Sequence, residues 1–136
     1  MLNLFIPGVP RPQGSKNAYK RGTRVVMVEA NKHLPEWRQA VYKALTAPEI
    51  KDARFESAVT VMATFYLPRP KTNKRLYATT KPDLDKLLRA IGDSLVIAGT
   101  IIDDSYIVTW NAAKAYADGV EPGVRIIVES CDTPLT

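Results

Sequence analysis

The sequence predicts an α/β (α+β) domain, one compact mixed sheet of about four to five strands with two main helices packed on it. Three observations carry that expectation. In residues 57–67, Val59, Val61, Ala63 and Phe65 alternate with Thr60, Met62, Thr64 and Tyr66, which is the period of a strand. Leu84, Leu87, Leu88, Ile91 and Leu95 recur at the spacing of one helical face. The chain has 136 residues, 46% of them apolar and 24% charged, a size and balance that suit a single globular unit with a real core. The expected division is one domain over residues 1–130 and a polar tail over 131–136.

The elements follow in order. Leu2 to Ile6 is a short apolar strand, and residues 7–16 form a loop by their proline and glycine content. Arg24 to Val28 is a second short strand. Asn31 is placed to cap a helix whose first turn holds Pro35 and Glu36, whose apolar stripe is Trp37, Val41 and Leu45, and which Pro48 ends. The strand at 57–67 runs into a basic loop, then a second helix to Leu95 with Gly99 as the residue just beyond its end. Strands at Tyr106 to Ala115 and Val124 to Glu129 complete the chain.

Charge and composition narrow the function. The net charge of +5 calls for an anionic partner, and nucleic acid is the first choice because each neutralised phosphate releases counterions. No apolar run approaches a membrane span and no charged start leads an apolar signal core, so the expected location is the cytoplasm, with no membrane partner. The single cysteine, Cys131, excludes an internal disulfide and a cysteine-rich metal site. His33, the one histidine, reads as a surface residue.

The stretch Lys81 to Leu95 organises the rest. Pro82 favours a helix start and pushes Lys81 toward extended backbone, so the helix begins near Pro82 or Asp83. Residues two apart on a helix point away from each other, so Asp83 and Asp85 can share a task only if Asp83 sits at the cap. Such a pair suits Mg²⁺, which takes a few carboxylates and keeps several waters. The alternative is plain helix chemistry, with Asp83 as N-cap and Asp85 as a first-turn charge favouring the dipole. Asp103 and Asp104 leave a turn together, so at most one of them joins that site.

Cations flank the stretch on both sides. Lys16, Asn17, Lys20, Arg21 and Arg24, with Tyr19 among them, suit phosphate contact and base stacking. Arg69, Lys71, Lys74, Arg75 and Lys81 place positive charge beside the carboxylates.

Together these residues resemble the RusA-type Holliday junction resolvases (crossover junction endodeoxyribonucleases), specifically their phage and bacterial relatives. The resemblance runs from the Pro12–Asn17 loop, Pro-Gln-Gly-Ser-Lys-Asn, to the last strand. Its most specific part is Asp83-Leu84-Asp85, an apolar helix, then Asp103-Asp104. It implies a compact homodimer that cuts four-way DNA junctions in a Mg²⁺-dependent reaction. It also implies that Asp83, Asp85 and Asp104 are the catalytic, metal-binding aspartates. The family's lysine six residues after its first aspartate is replaced here by Arg89. Arginine keeps the charge and grips phosphate in a bidentate way, but does not readily lose a proton. Lys86 is the nearest substitute for a proton-transferring lysine, and Lys114 matches a further lysine of the pattern.

The chemistry explains the residue types. Phosphodiesters repel hydroxide, and a carboxylate-held metal polarises the phosphoryl oxygen and lowers the pKa of water. A neighbouring Lys or Arg stabilises charge that develops on the phosphate. A four-way junction has near two-fold symmetry, which two sites in a two-fold dimer match. The competing readings are a non-catalytic DNA-binding module and a Mg²⁺-dependent nuclease for other branched DNA.

Overall fold

The alternating stretch becomes the spine of the sheet, strand β4 (Val59–Leu67). In this computed structural model residues 1–14, 16–21, 24–29, 31–131 and 134 are described, with backbone alone for 16–21 and 24–29. The other elements are β1 (Leu2–Pro7), β2 (Lys16–Arg21), β3 (Arg24–Glu29), α1 (Leu34–Leu45), α2 (Leu84–Ile97), a 3-10 turn (Asp104–Tyr106), β5 (Ile107–Tyr116) and β6 (Gly123–Ser130). The main sheet has the order β1-β6-β4-β5. It is mixed: β4 pairs parallel with β5 through the α2 crossover, and β6 runs antiparallel to both β1 and β4.

Register carries the pattern of β4 across its neighbours. Val61, Ala63 and Phe65 pair with Val128, Ile126 and Val124 on β6, and all six are buried. On the other side Val61, Ala63, Phe65 and Leu67 pair with Trp110, Ala112, Lys114 and Tyr116 of β5. Side chains alternate along a strand, so these four β5 residues share the helix-covered face of the sheet. From α1, Leu34, Trp37, Val41 and Leu45 are buried in the same core. From α2 the buried set is Leu87, Ala90, Ile91 and Leu95, while Leu84 and Leu88 are partly buried at its margin. The apolar stripe is therefore real but turned slightly, because Leu88 borders the hollow described below.

Three sequence expectations change in detail. The strand at Arg24 pairs with β2 in a separate two-stranded sheet and does not join the main one. The loop expected over residues 7–16 ends before Lys16, and Lys16–Arg21, to which the sequence assigned no element, is a strand, since the ladder is made by backbone groups. Asn31 does not cap α1 directly: its Oδ1 accepts from the His33 N–H at 3.0 Å, and His33 is the N-cap residue. The tail positions 132, 133, 135 and 136 lie outside the described residues, while the Cys131 N–H donates to the Ala58 carbonyl at 2.9 Å.

The end of α2 fixes the chain that follows. Gly99 has φ +79°, the left-handed region where glycine pays no Cβ penalty. Its N–H donates to the Val96 carbonyl, and the Thr100 N–H donates to that of Leu95 at 2.9 Å. This double closure is a Schellman cap, and it directs the chain toward the Asp103–Asp104 turn.

Candidate active site

Asp83 is the N-cap residue of α2, with the extended backbone (φ −72°, ψ 141°) that a shared aspartate pair requires. The helix starts at Leu84, one or two residues after the expected start near Pro82 or Asp83, and follows a cis Lys81–Pro82 peptide bond. The Asp83 side chain accepts no capping hydrogen bond. Its carboxylate faces cations instead: Lys81 Nζ at 3.2 Å and Lys86 Nζ at 3.9 Å. The hydrogen bond from Lys81 and the charges of Lys81, Lys86 and Lys114 hold it below the usual aspartate range. Lys114 reaches this corner from β5, where Nζ donates to the carbonyls of Pro82 at 2.7 Å and Thr80 at 2.9 Å. These bonds pin the loop that delivers Asp83.

Asp85 lies on the opposite side of the helix. With Arg89, Asp93 and Asp104 it lines an open hollow of about 320 Å³, floored by Leu88, Gly92, Ile107 and Trp110. The two members of the Asp103–Asp104 pair have separate tasks. Asp103 caps the 3-10 turn, its carboxylate accepting from the Ser105 N–H at 3.1 Å. Asp104 opens onto the hollow. Its carboxyl is raised above the usual range, first by the hydrogen bond it shares with Asp103 and also by the charges of Asp103 and Asp93.

The hollow is a trough along the helix. Asp85 and Asp93 are eight residues apart, about 12 Å along the axis at 1.5 Å per residue. Asp104 belongs to the Asp93 end, and Arg89 lies between. Among the described residues no three carboxylate, imidazole or thiol groups come close enough to hold a metal ion together. The cations divide the same way: Arg89 stands in the trough, whereas Lys86 and Lys114 stand with Asp83.

The loop before β2 is clamped onto α2 at this point. The Gln13 N–H donates to the Lys86 carbonyl at 3.0 Å, and Gln13 Nε2 donates to Asp93 Oδ2. Gly14 has φ +109°, and a Cβ there would run into the Arg89 guanidinium. Gly14→Ala is therefore expected to displace Arg89 and strain the loop backbone, lowering cleavage about tenfold or more and the melting temperature by several degrees. Steady-state rates beside a thermal melt check it. Neither Gln13 nor Asp93's partner was legible in the sequence, because the pair spans 80 positions.

The candidate DNA contacts fall into three groups. Lys71, Lys74, Arg75 and Lys81 are exposed on the loop between β4 and α2. Arg69 is committed to holding that loop. It makes a two-pronged pair with Asp118 (Nε–Oδ1 2.9 Å, Nη2–Oδ2 2.7 Å), donates to the carbonyls of Asn73 and Arg75, and lies 4.1 Å over the Tyr116 ring. Lys16, Asn17, Lys20, Arg21 and Arg24 sit on β2 and β3, and their side chains lie outside the described residues.

Arg69 holds the Asp118 carboxyl below its ordinary range. A depressed carboxyl lends stability that is complete above its unfolded pKa, about 3.9, and is lost as pH falls through the lower folded value. The melting temperatures of wild type and Asp118→Asn are thus expected to differ at neutral pH and to converge below about pH 4. Paired melts across that range check the expectation.

Residues 7–129 of the 136 match the family Endodeoxyribonuclease RusA. The chain belongs to that family. It is accordingly an endodeoxyribonuclease, and RusA membership implies Holliday junction resolution, with the DNA binding and recombination role that go with it. No curated protein matches the chain. Among the described residues no helix is long and apolar enough to cross a membrane.

RusA nucleases are generally metal-dependent. The donors here fit a hard divalent cation in kind. Asp85 and Asp104 are oxygen donors lining one hollow, and the crowding of carboxylates that raises Asp104 is what a cation would relieve. Mg²⁺ needs only one or two protein carboxylates when substrate phosphates complete its shell.

Proposed function

We propose that this protein is a Mg²⁺-dependent, structure-selective endonuclease that resolves four-way DNA junctions by paired symmetric nicks. It acts as a homodimer of a single domain spanning residues 1–130, in the cytoplasm of a bacterium or of a phage-infected host. The observation that carries the reading is the RusA match over residues 7–129, on a chain that presents an acidic trough along α2 and an exposed cationic loop leading into Asp83 at the start of the same helix.

The roles follow from the chemistry of each side chain. Asp83, Asp85 and Asp104 are assigned as the metal-binding carboxylates by their match to the family's aspartates. Asp85 and Asp104 line the trough while Asp83 stands across the helix with Lys81 and Lys86, so binding one Mg²⁺ would require the three to draw together. Bound Mg²⁺ supplies Lewis-acid polarisation of the phosphoryl oxygen and a water of lowered pKa. Arg89 grips a non-bridging oxygen of the scissile phosphate from the middle of the trough and offsets the charge that builds there. A permanently charged guanidinium does not act as the proton donor, so Lys86, beside Asp83 and half-exposed, takes that role toward the leaving oxygen. Lys114 is a positioning residue: its two bonds to the loop carbonyls set the approach of Asp83. Lys71, Lys74, Arg75 and Lys81, with the β2–β3 arm, bind the flanking backbone and fix its register. The near two-fold symmetry of a four-way junction favours a dimer, since a two-fold partner brings a second set of carboxylates to the same DNA.

The test is cleavage of a labelled synthetic four-way junction, with linear duplex and flap controls, read on a denaturing gel with Mg²⁺ and with EDTA. Paired symmetric nicks on the junction alone, lost in EDTA, are expected. Equal cutting of flaps would make it a general branched-DNA nuclease, and tight binding with no nicks would leave only a binding module. Light scattering of the active protein checks the dimer.

A further inference from the structure

Two large apolar side chains stand on the outside of the cationic loop with nothing covering them. Leu76 is 80% exposed and Tyr77 is 73% exposed. Beside them Ala78 is buried in the core and anchors the loop. The segment is also tightly braced. Arg69 ties Asp118 to the carbonyls of Asn73 and Arg75, Asn73 Nδ2 donates to the Tyr116 hydroxyl at 2.8 Å, and Arg75 Nη1 donates to Thr79 Oγ1 at 3.0 Å. A braced loop cannot fold its apolar tip inward, so the pair stays presented to whatever binds there.

The surroundings identify the occupant by charge. From residue 68 to 82 there is no acidic side chain, while Lys71, Lys74, Arg75 and Lys81 are all exposed. A second copy of a chain carrying +5 would be repelled there, and a polyanion would be drawn in. We propose that Leu76 and Tyr77 form a wedge that packs against an unstacked nucleobase at the branch point of the DNA. This deepens the resolvase reading and rests on it. Aromatic rings stack on any base, and leucine is a common side chain to insert between base steps. In continuous duplex such insertion must first break a stacked step, whereas at a branch point stacking is already interrupted. The wedge therefore supplies a preference for branched over linear DNA, set apart from the carboxylates that cut.

The experiment compares wild type, the double variant Leu76→Ser/Tyr77→Ser, and Tyr77→Trp, all without Mg²⁺. Affinity is measured on a four-way junction and on linear duplex of the same sequence, with 2-aminopurine at the branch point reporting unstacking. Both side chains are exposed, so the melting temperature stays unchanged. The double variant is expected to lose about tenfold or more on the junction and less than about twofold on duplex, and to lose the fluorescence rise. Tyr77→Trp keeps both. A wild-type preference for the junction that survives intact in the double variant overturns the wedge alone. Equal losses on junction and duplex overturn it too, since they mark a general backbone contact. A wild type with no preference for the junction overturns the resolvase reading, and the wedge with it.

Discussion

Asp85→Asn is expected to lower junction cleavage by roughly a thousandfold while leaving junction affinity within about twofold. The substitution keeps the shape of the side chain and removes its charge. Metal assistance contributes several kcal/mol to phosphoryl transfer, and each ~1.4 kcal/mol is a factor of ten in rate. Binding depends on cations elsewhere, so it survives. Folding survives as well: Asp85 is exposed in the first turn of α2, where losing a favourable dipole contact costs about 0.3–1 kcal/mol. Asp104→Asn is expected to behave alike, whereas Asp103→Asn should retain cleavage, because Asp103 is engaged with the Ser105 N–H in the turn. Single-turnover cleavage beside gel-shift titration reads all three. Full activity in Asp104→Asn with loss in Asp103→Asn would exchange the two roles.

Ile91→Ala acts through the other face of the same helix. Ile91 is fully buried between α2 and the sheet. Truncating such a side chain removes its transfer energy and leaves a cavity, at about 2–5 kcal/mol. For a domain of this size that corresponds to a fall of about 10 °C in melting temperature. Arg89→Ala, two residues away on the exposed face, should leave the melt almost unchanged and reduce cleavage instead. Thermal unfolding of the pair separates the two faces.

The sequence made the core legible because burial leaves a periodic trace. Val59 to Phe65 alternate, Leu87, Ile91 and Leu95 repeat, and each stretch lands on the face its period indicates. The extended backbone at Asp83 followed from local chemistry, since a proline and a cap constrain only their neighbours. What stayed hidden was pairing across the chain. Nothing near Arg69 indicates that its guanidinium is taken by Asp118, 49 residues on, and nothing near Gln13 points to Asp93. The placement of the candidate carboxylates was hidden in the same way: Asp85 and Asp104 line one trough and Asp83 stands across the helix beside Lys81 and Lys86, a division visible only when α2 is laid against β5.

The two-faced helix has a consequence for mixed populations of the protein. Residues that hold α2 to the sheet and residues that do chemistry are almost disjoint, so loss of activity need not entail loss of the folded, DNA-competent form. A chain damaged only on the trough side would still occupy junctions and shield them from working copies. Defective alleles of that kind should therefore be dominant over wild type, whereas alleles that damage the buried face should be recessive, cleared before they compete.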